Sequence, residues 1–163
     1  MSIPKIETES KEEIIKFQES QLPIILGYLN SNSNFYRRLF NDNSININTI
    51  KTLDDLTRIP VTTKNDLQKH NNDFLCVEKD KVIDYITTSG TLGEPVTFAM
   101  TNGDLERLAY NEYISFLCAD TTKEDIYQLL VTLDKRFMAG MAYFMGLRKL
   151  GAGIIRTGPG LQK

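Results

Sequence analysis

Tyr85-Ile86-Thr87-Thr88-Ser89-Gly90-Thr91-Leu92-Gly93-Glu94-Pro95-Val96 is the stretch on which the reading of this chain turns. An apolar, β-branched run of Val82, Ile83, Tyr85 and Ile86 enters it, the middle is made almost wholly of Thr, Ser and Gly, and a second β-branched run leaves after Pro95. That order predicts a strand, a small-residue loop and a strand. Gly90 and Gly93 allow positive φ and close backbone approach, while Thr88, Ser89 and Thr91 place hydroxyl donors beside exposed amides. A concavity of this kind suits a phosphate group.

Working outward toward the C-terminus, Pro95 to Met100 reads as the second strand. Thr101-Asn102-Gly103-Asp104 opens a helix with apolar positions at Leu105, Leu108, Ala109, Tyr113, Phe116 and Leu117. Ile126, Leu129, Leu130, Val131 and Leu133 form a nearly continuous apolar run, the pattern of a strand buried on both faces. A helix rich in Met and aromatics is predicted from Phe137 to Leu150, stopped by Gly151, and a last strand from Ala152 to Thr157 precedes Gly158-Pro159-Gly160. The alternation of helix and strand with short links favours parallel neighbours and right-handed crossovers. Because nothing after Gly160 would pair or cover the sheet edge, the chain is expected to be part of something longer.

Toward the N-terminus the signals are helical. Ser10-Lys11-Glu12-Glu13 has the capping-box pattern and should open a short helix bearing Ile14, Ile15 and Phe17. Pro23 is expected to end it and to sit in the first turn of a second helix with Ile25, Leu26 and Leu29. Asn30-Ser31-Asn32-Ser33-Asn34 breaks the pattern, Phe35 to Phe40 starts another helix, and Asn41 to Thr49 reads as a loop. Thr52-Leu53-Asp54-Asp55 and Thr63-Lys64-Asn65-Asp66 cap two further short helices. The expected organisation is therefore a mainly helical region over residues 1–80 and an α/β part over 81–163 that carries the loop.

The totals exclude several classes. The 163 residues are 41% hydrophobic and 25% charged, which is ordinary for one soluble domain, and 19 basic against 21 acidic residues leave a net charge of −2. Neither a nucleic-acid backbone nor a membrane is the expected partner, and the absence of a signal peptide or a long apolar run points to the cytoplasm. Cys76 and Cys118 lack metal-ligand spacing and His70 is the only histidine, so no metal site is expected from soft ligands. Homodimerisation stays open.

Thr88 to Pro95 resembles the Thr-Ser-Gly-Thr-Thr-Gly-x-Pro phosphate loop of the adenylate-forming enzymes, the acyl-CoA synthetase superfamily. The flanks resemble its phenylacetate-CoA ligase branch. Phe35-Tyr36-Arg37-Arg38 is similar to an aromatic-Tyr-Arg-Arg element there, and Leu53 to Leu67 to a Leu-x-x-Leu-x-x-Ile-Pro-x-Thr-x-Lys-x-Asp-Leu segment. Thr101 to Asp104 and Leu150-Gly151-Ala152 match a helix start and a Leu-Gly-Ala element in the same order.

This resemblance implies an α/β fragment of the adenylate-forming fold, a helical N-terminal region followed by a partly parallel sheet with flanking helices. It implies ATP, Mg²⁺ and CoA as cofactors and an aromatic or other small carboxylate as substrate. Thr88, Ser89, Gly90, Thr91 and Gly93 would hold the β- and γ-phosphates, and Phe137 would form the aromatic wall of a carboxylate pocket. Leu92 replaces a hydroxyl residue of the family loop, and Glu94 replaces the usual Lys; both changes should weaken nucleotide binding. The family's adenine-binding segment, ribose-binding Asp and C-terminal catalytic Lys would lie beyond position 163. No catalytic acid, base or nucleophile is therefore expected here, and the chain alone should be inactive. Two alternatives stand beside the ligase: a non-catalytic binding or interaction module, and acyl activation for transfer to a protein thiol.

Overall fold

Ser10 starts the first helix by accepting the Glu13 amide on its side chain at 3.3 Å, and the helix then runs as α1 (Lys11–Asn32) without interruption. The computed structural model describes residues 3–88, 95–134 and 136–160, and the chain divides into two units, Met1–Val77 and Glu78–Lys163. Pro23 does not end α1, contrary to the sequence expectation. An interior proline costs a helix about 3 kcal/mol, but Leu22 and Leu26 on either side of it are both buried, and each buried leucine contributes roughly 1.5–3 kcal/mol. Pro23 itself is exposed, and it has no amide to give to the Glu19 carbonyl. Tertiary burial therefore outweighs the local penalty.

The expected break over residues 30–34 shrinks to a single residue, Ser33. Its amide donates to the Leu29 carbonyl at 2.9 Å, closing α1, while its hydroxyl accepts the Tyr36 amide at 3.3 Å and opens α2 (Asn34–Asp42). The same hydroxyl donates to the Asp73 carbonyl at 2.9 Å, which gives this fully buried polar side chain both partners. Leu26, Phe40 and Ile50 form the core between α1, α2 and the following loop. Arg37 donates to the Asn30 and Ser31 carbonyls at the end of α1, and Arg38 pairs with Asp73 at 2.6 Å. Both arginines of the aromatic-Tyr-Arg-Arg element thus hold the unit together, and Phe35 stacks on Phe74 at 4.0 Å.

Short 3₁₀ turns and α3 (Lys64–Lys69) complete this unit. Thr63 and Asp66 cap α3 reciprocally, and Thr52 and Asp55 form the same exchange ahead of the 3₁₀ turn Asp54–Arg58. Amides of Lys51 and Thr52, with the Thr52 hydroxyl, hold the Asp55 carboxyl well below the usual range, at about 2.

The second unit opens with β1 (Val82–Thr87), which pairs antiparallel with β2 (Thr97–Thr101) in the register Ile86↔Phe98 and Thr87↔Thr97. The pairing shifts between Val82 and Asp84, leaving Ile83 as an extra residue. Thr101 ends β2 and caps α4 (Asn102–Cys118). Next, β3 (Ile126–Leu129), α5 (Met138–Leu150) and β4 (Gly153–Arg156) make a parallel strand-helix-strand unit, with Ile126 opposite Gly153 and Leu129 opposite Arg156. Gly151 ends α5 at φ 94°, a left-handed position that suits glycine.

Leu129, Leu147 and Ala152 are its buried centre, with Phe116, Tyr127 and Phe144 packed around them. The strand is shorter than the apolar run suggested and is not buried on both faces. Tyr127 and Leu129 turn toward the helices, whereas Ile126 is 71% exposed and Gln128 is also exposed. Strand alternation has placed every second side chain on an outer face. Among the described residues, no helix is long and apolar enough to cross a membrane.

Replacing Pro23 by Ala restores a donor to the Glu19 carbonyl and should stabilise the first unit by about 1–3 kcal/mol, read as a rise in the urea midpoint at constant slope. For Asp55, whose folded pKa lies below the ordinary 3.8, the stabilisation is present above the unfolded value and disappears as pH falls toward about 2. Wild-type protein should therefore exceed D55N in thermal stability at pH 5, and the gap should narrow steadily as pH falls from 4 through about 2.

Candidate functional site

The end of β1 is where three segments meet. Thr87 donates its amide to the Arg136 carbonyl at 3.0 Å and forms an isolated parallel bridge with Phe137, while Thr88 turns the other way and donates to the Val96 carbonyl at 3.0 Å. Successive amides at the strand end thus grip the start of α5 on one side and the start of β2 on the other. The Val96 amide answers by donating to the Thr88 hydroxyl at 3.0 Å. Val96 is buried and Thr88 exposed, so this neck has an apolar inner side and a polar outer one.

Of the residues expected to bind phosphate, Thr88 stands at this neck. Ser89, Gly90, Thr91 and Gly93 lie outside the described residues, as do Leu92 and Glu94. Phe137, expected as a pocket wall, sits at the N-cap of α5, is 38% exposed as a residue, and lies one bridge away from Thr87. The loop neck and the aromatic residue are therefore brought to one place by backbone bonds.

The approach to α5 is held by several local contacts. Asp134 donates its amide to the Thr132 hydroxyl at 3.2 Å, the same hydroxyl bonds the Asp134 carboxylate, and Phe137 donates its amide to the Asp134 carbonyl at 3.1 Å. Arg136 adopts φ 60°, a left-handed conformation that is uncommon for a long side chain. Turning the chain there aims its carbonyl at Thr87. In the first turn of α5, Gly140 approaches the Thr132 carbonyl so closely that an added Cβ would lie 1.9 Å from the oxygen. Farther along, a Cβ on Gly146 would lie 2.3 Å from the Glu112 Cβ, so this glycine sets how closely α5 packs on α4.

On the opposite flank, β2 leads into α4 through a reciprocal cap. Thr101 donates its amide and hydroxyl to the Asp104 carboxylate at 2.9 and 2.8 Å and accepts the Asp104 amide at 3.3 Å. Burial raises the Asp104 pKa, but the bonds from Thr101 and Arg107 outweigh it and hold the carboxyl below its ordinary value. Among the described residues, no group of three His, Cys, Asp or Glu side chains is placed to hold a metal ion.

Sequence reasoning named Thr88 and Phe137 but not the parts that join them, Arg136, Thr132 and Gly140. Gly140 was a visible signal, an isolated glycine in an otherwise good helix. The left-handed turn at Arg136 left no trace, because nothing in that residue type predicts it.

No protein-family model matches the chain. Its fold matches solved structures of an acyl-CoA ligase. A crystal structure of 2-hydroxyisobutyryl-CoA ligase in an open conformation, with 2-HIB-AMP and CoA, superimposes at TM-score 0.86 and 22% identity, over 97% of this chain and 37% of that one. A second structure of that ligase, in the thioesterification state, gives TM-score 0.87 at 24% identity, over 97% and 34%.

In sequence, the chain is similar to phenylacetate-coenzyme A ligases. The Escherichia coli protein is 28% identical over 151 residues, 92% of this chain and 34% of its own length. The Thermus thermophilus protein is 33% identical over 107 residues, 65% and 24%. The chain thus spans about a third or less of the curated relatives it matches. The resemblance found in the loop and its flanks runs along nearly the whole chain.

Replacing Gly140 by Ala should push α5 away from the Thr132 carbonyl and cost about 1–3 kcal/mol. Urea unfolding of the second unit, followed by amide signals from α5, measures this.

Proposed function

We propose that this chain carries the phosphate-binding part of an ATP-dependent carboxylate-CoA ligase. The observation that carries the reading is the Thr/Ser/Gly segment set between β1 and β2 at a neck that backbone bonds tie to Phe137. The similarity to phenylacetate-coenzyme A ligases over 92% of the chain supports it.

In such a reaction a carboxylate attacks the α-phosphorus of ATP, pyrophosphate departs, and the thiol of CoA then displaces AMP from the acyl adenylate. Charge grows on the departing pyrophosphate, and donors fixed in advance lower that barrier. Ser89, Gly90, Thr91 and Gly93 would supply amides and hydroxyls to the β- and γ-phosphates, with Thr88 at the base of the loop. Two charge-assisted bonds of about 1.5–3 kcal/mol each would accelerate the step by orders of magnitude, at about 1.4 kcal/mol per tenfold. In the bond to Val96 the Thr88 hydroxyl is the acceptor, so its hydrogen can serve a phosphate oxygen, which suits an anion at this place.

Mg²⁺ bound to the polyphosphate would neutralise part of its charge. Sites of that kind use one or two carboxylates together with the phosphates, and Glu94 is the carboxylate that the loop itself carries. Phe137, itself exposed, would offer its ring to an aromatic or other small acid.

Carboxylate-dependent exchange of labelled pyrophosphate into ATP tests the reading, run on this chain and on any longer product of its reading frame. Exchange driven by aryl or small acids is expected of the longer protein, whereas this chain by itself should show none. Gly90→Val together with Gly93→Val should abolish it, because side chains at those positions block the approach of a phosphate to the backbone. Absence of exchange and of nucleotide binding in both proteins would favour the interaction module instead, for which the exposed Ile126 and Ile155 on the outer face of β3 and β4 offer an apolar surface.

A further inference from the structure

We infer that the outward face of α1 is a self-association surface, on which a second copy of this chain packs its own α1 in antiparallel orientation. The inference stands apart from the ligase reading and does not fall with it.

Helix α1 is apolar on two sides. Leu22 and Leu26 are buried, and Leu29 packs against the cluster that Leu26 shares with Phe40 and Ile50, so these positions define the inward side. At about 3.6 residues per turn, Phe17, Ile24 and Tyr28 fall nearly opposite them, and all three are exposed, Ile24 at 64%. A helix whose outer side met only water would carry polar residues there. The spacing is specific as well: Ile14, Phe17, Gln21, Ile24, Tyr28 and Ser31 follow at alternate steps of three and four residues. That is the a and d pattern of a helix that pairs with another helix.

The same stripe fits itself. In an antiparallel pair the a residues of one helix meet the d residues of the other, which sets Phe17 against Tyr28, Gln21 against Ile24 and Ile14 against Ser31. The arrangement is isologous and closes as a dimer. Charge and dipole favour it over the parallel one. Glu13 borders the start of the stripe and gives one oxygen to Lys16 at 2.7 Å, while the far end is closed by Arg37, which donates to the Asn30 and Ser31 carbonyls and to no carboxylate. An antiparallel mate brings Glu13 to the level of residue 32, beside that guanidinium, and opposes the helix dipoles; a parallel mate sets Glu13 against Glu13. The Tyr28 hydroxyl already donates to the Cys76 carbonyl at 3.1 Å, so this ring needs little further ordering. A lipid surface fits less well. Lys11 and Lys16 stand against Glu12, Glu13 and Glu19, without the basic flank of a helix that lies on anionic lipid.

Analytical ultracentrifugation of the 163-residue chain tests the inference. A reversible monomer–dimer equilibrium is expected, and one helix pair is a small interface, so it should dissociate in the micromolar range. Ile24→Glu should weaken the dimer by at least about tenfold, because it brings a carboxylate to an apolar seam. Its circular dichroism should match wild type, since the position is exposed. Orientation is read by a short bismaleimide in a Cys118→Ser background, with that chain as the control. Gln21→Cys should be crosslinked between copies, because it lies close to the dyad, and Ser31→Cys should not.

A chain that stays monomeric at every concentration overturns the inference, and so does a dimer that Ile24→Glu leaves unchanged. Crosslinking through Ser31→Cys as strong as through Gln21→Cys makes the pair parallel and also overturns it. A monomer that sediments with phosphatidylserine–phosphatidylcholine vesicles, and loses this with Ile24→Glu, assigns the stripe to a lipid surface instead.

Discussion

The second unit depends on how two successive amides at the end of β1, those of Thr87 and Thr88, are spent. Thr87 gives its amide to Arg136 and Thr88 gives its amide to Val96, so one strand end joins the hairpin to the start of α5. Neither partner is adjacent in sequence to the residue it receives from. A strand is the element that can make this junction, because its successive amides point in opposite directions. Thr88 and Phe137 come to one strand end as a consequence, through backbone bonds and not through side chains.

A second principle runs through both units, the exchange of bonds between a threonine and an aspartate three residues later. It recurs at Thr52 and Asp55, Thr63 and Asp66, and Thr101 and Asp104, and the Thr122 amide and hydroxyl likewise bond Asp125. The physics is local: the carboxylate takes the amide that precedes the turn, and the hydroxyl takes the amide that follows. Such starts need no tertiary context, which is why they are legible residue by residue. Where the carboxylate gathers several donors, as at Asp55, its ionised form is strongly favoured.

Where local preference and packing disagreed, packing decided. Proline predicts a helix end at residue 23, yet the leucines beside it are buried on the same helix and the chain continues through. The apolar run from Ile126 predicts a strand covered on both sides, yet the strand stops at Leu129 and turns Ile126 outward. Composition counts how many apolar residues a segment holds and says nothing of how many neighbours are present to cover them. Arg37 and Arg38 show the polar counterpart: both stay exposed, and both also bond, to the end of α1 and to Asp73.

By itself the sequence determined the order of elements, the helix starts with their threonine caps, the glycine stop at residue 151 and the small-residue connection between two strands. All of these follow from side chains acting on their own stretch of backbone, within a few residues. The resemblance to phenylacetate-CoA ligases was readable for the same reason, since it is carried by short segments in a fixed order. Only the tertiary structure decided that Thr88 bonds across the neck, that Arg136 turns left-handed to reach Thr87, and that Gly140 and Gly146 are the places where α5 lies hard against its neighbours. Those facts arise from contacts between separate segments of the chain, and no residue type announces which distant backbone atom it will meet.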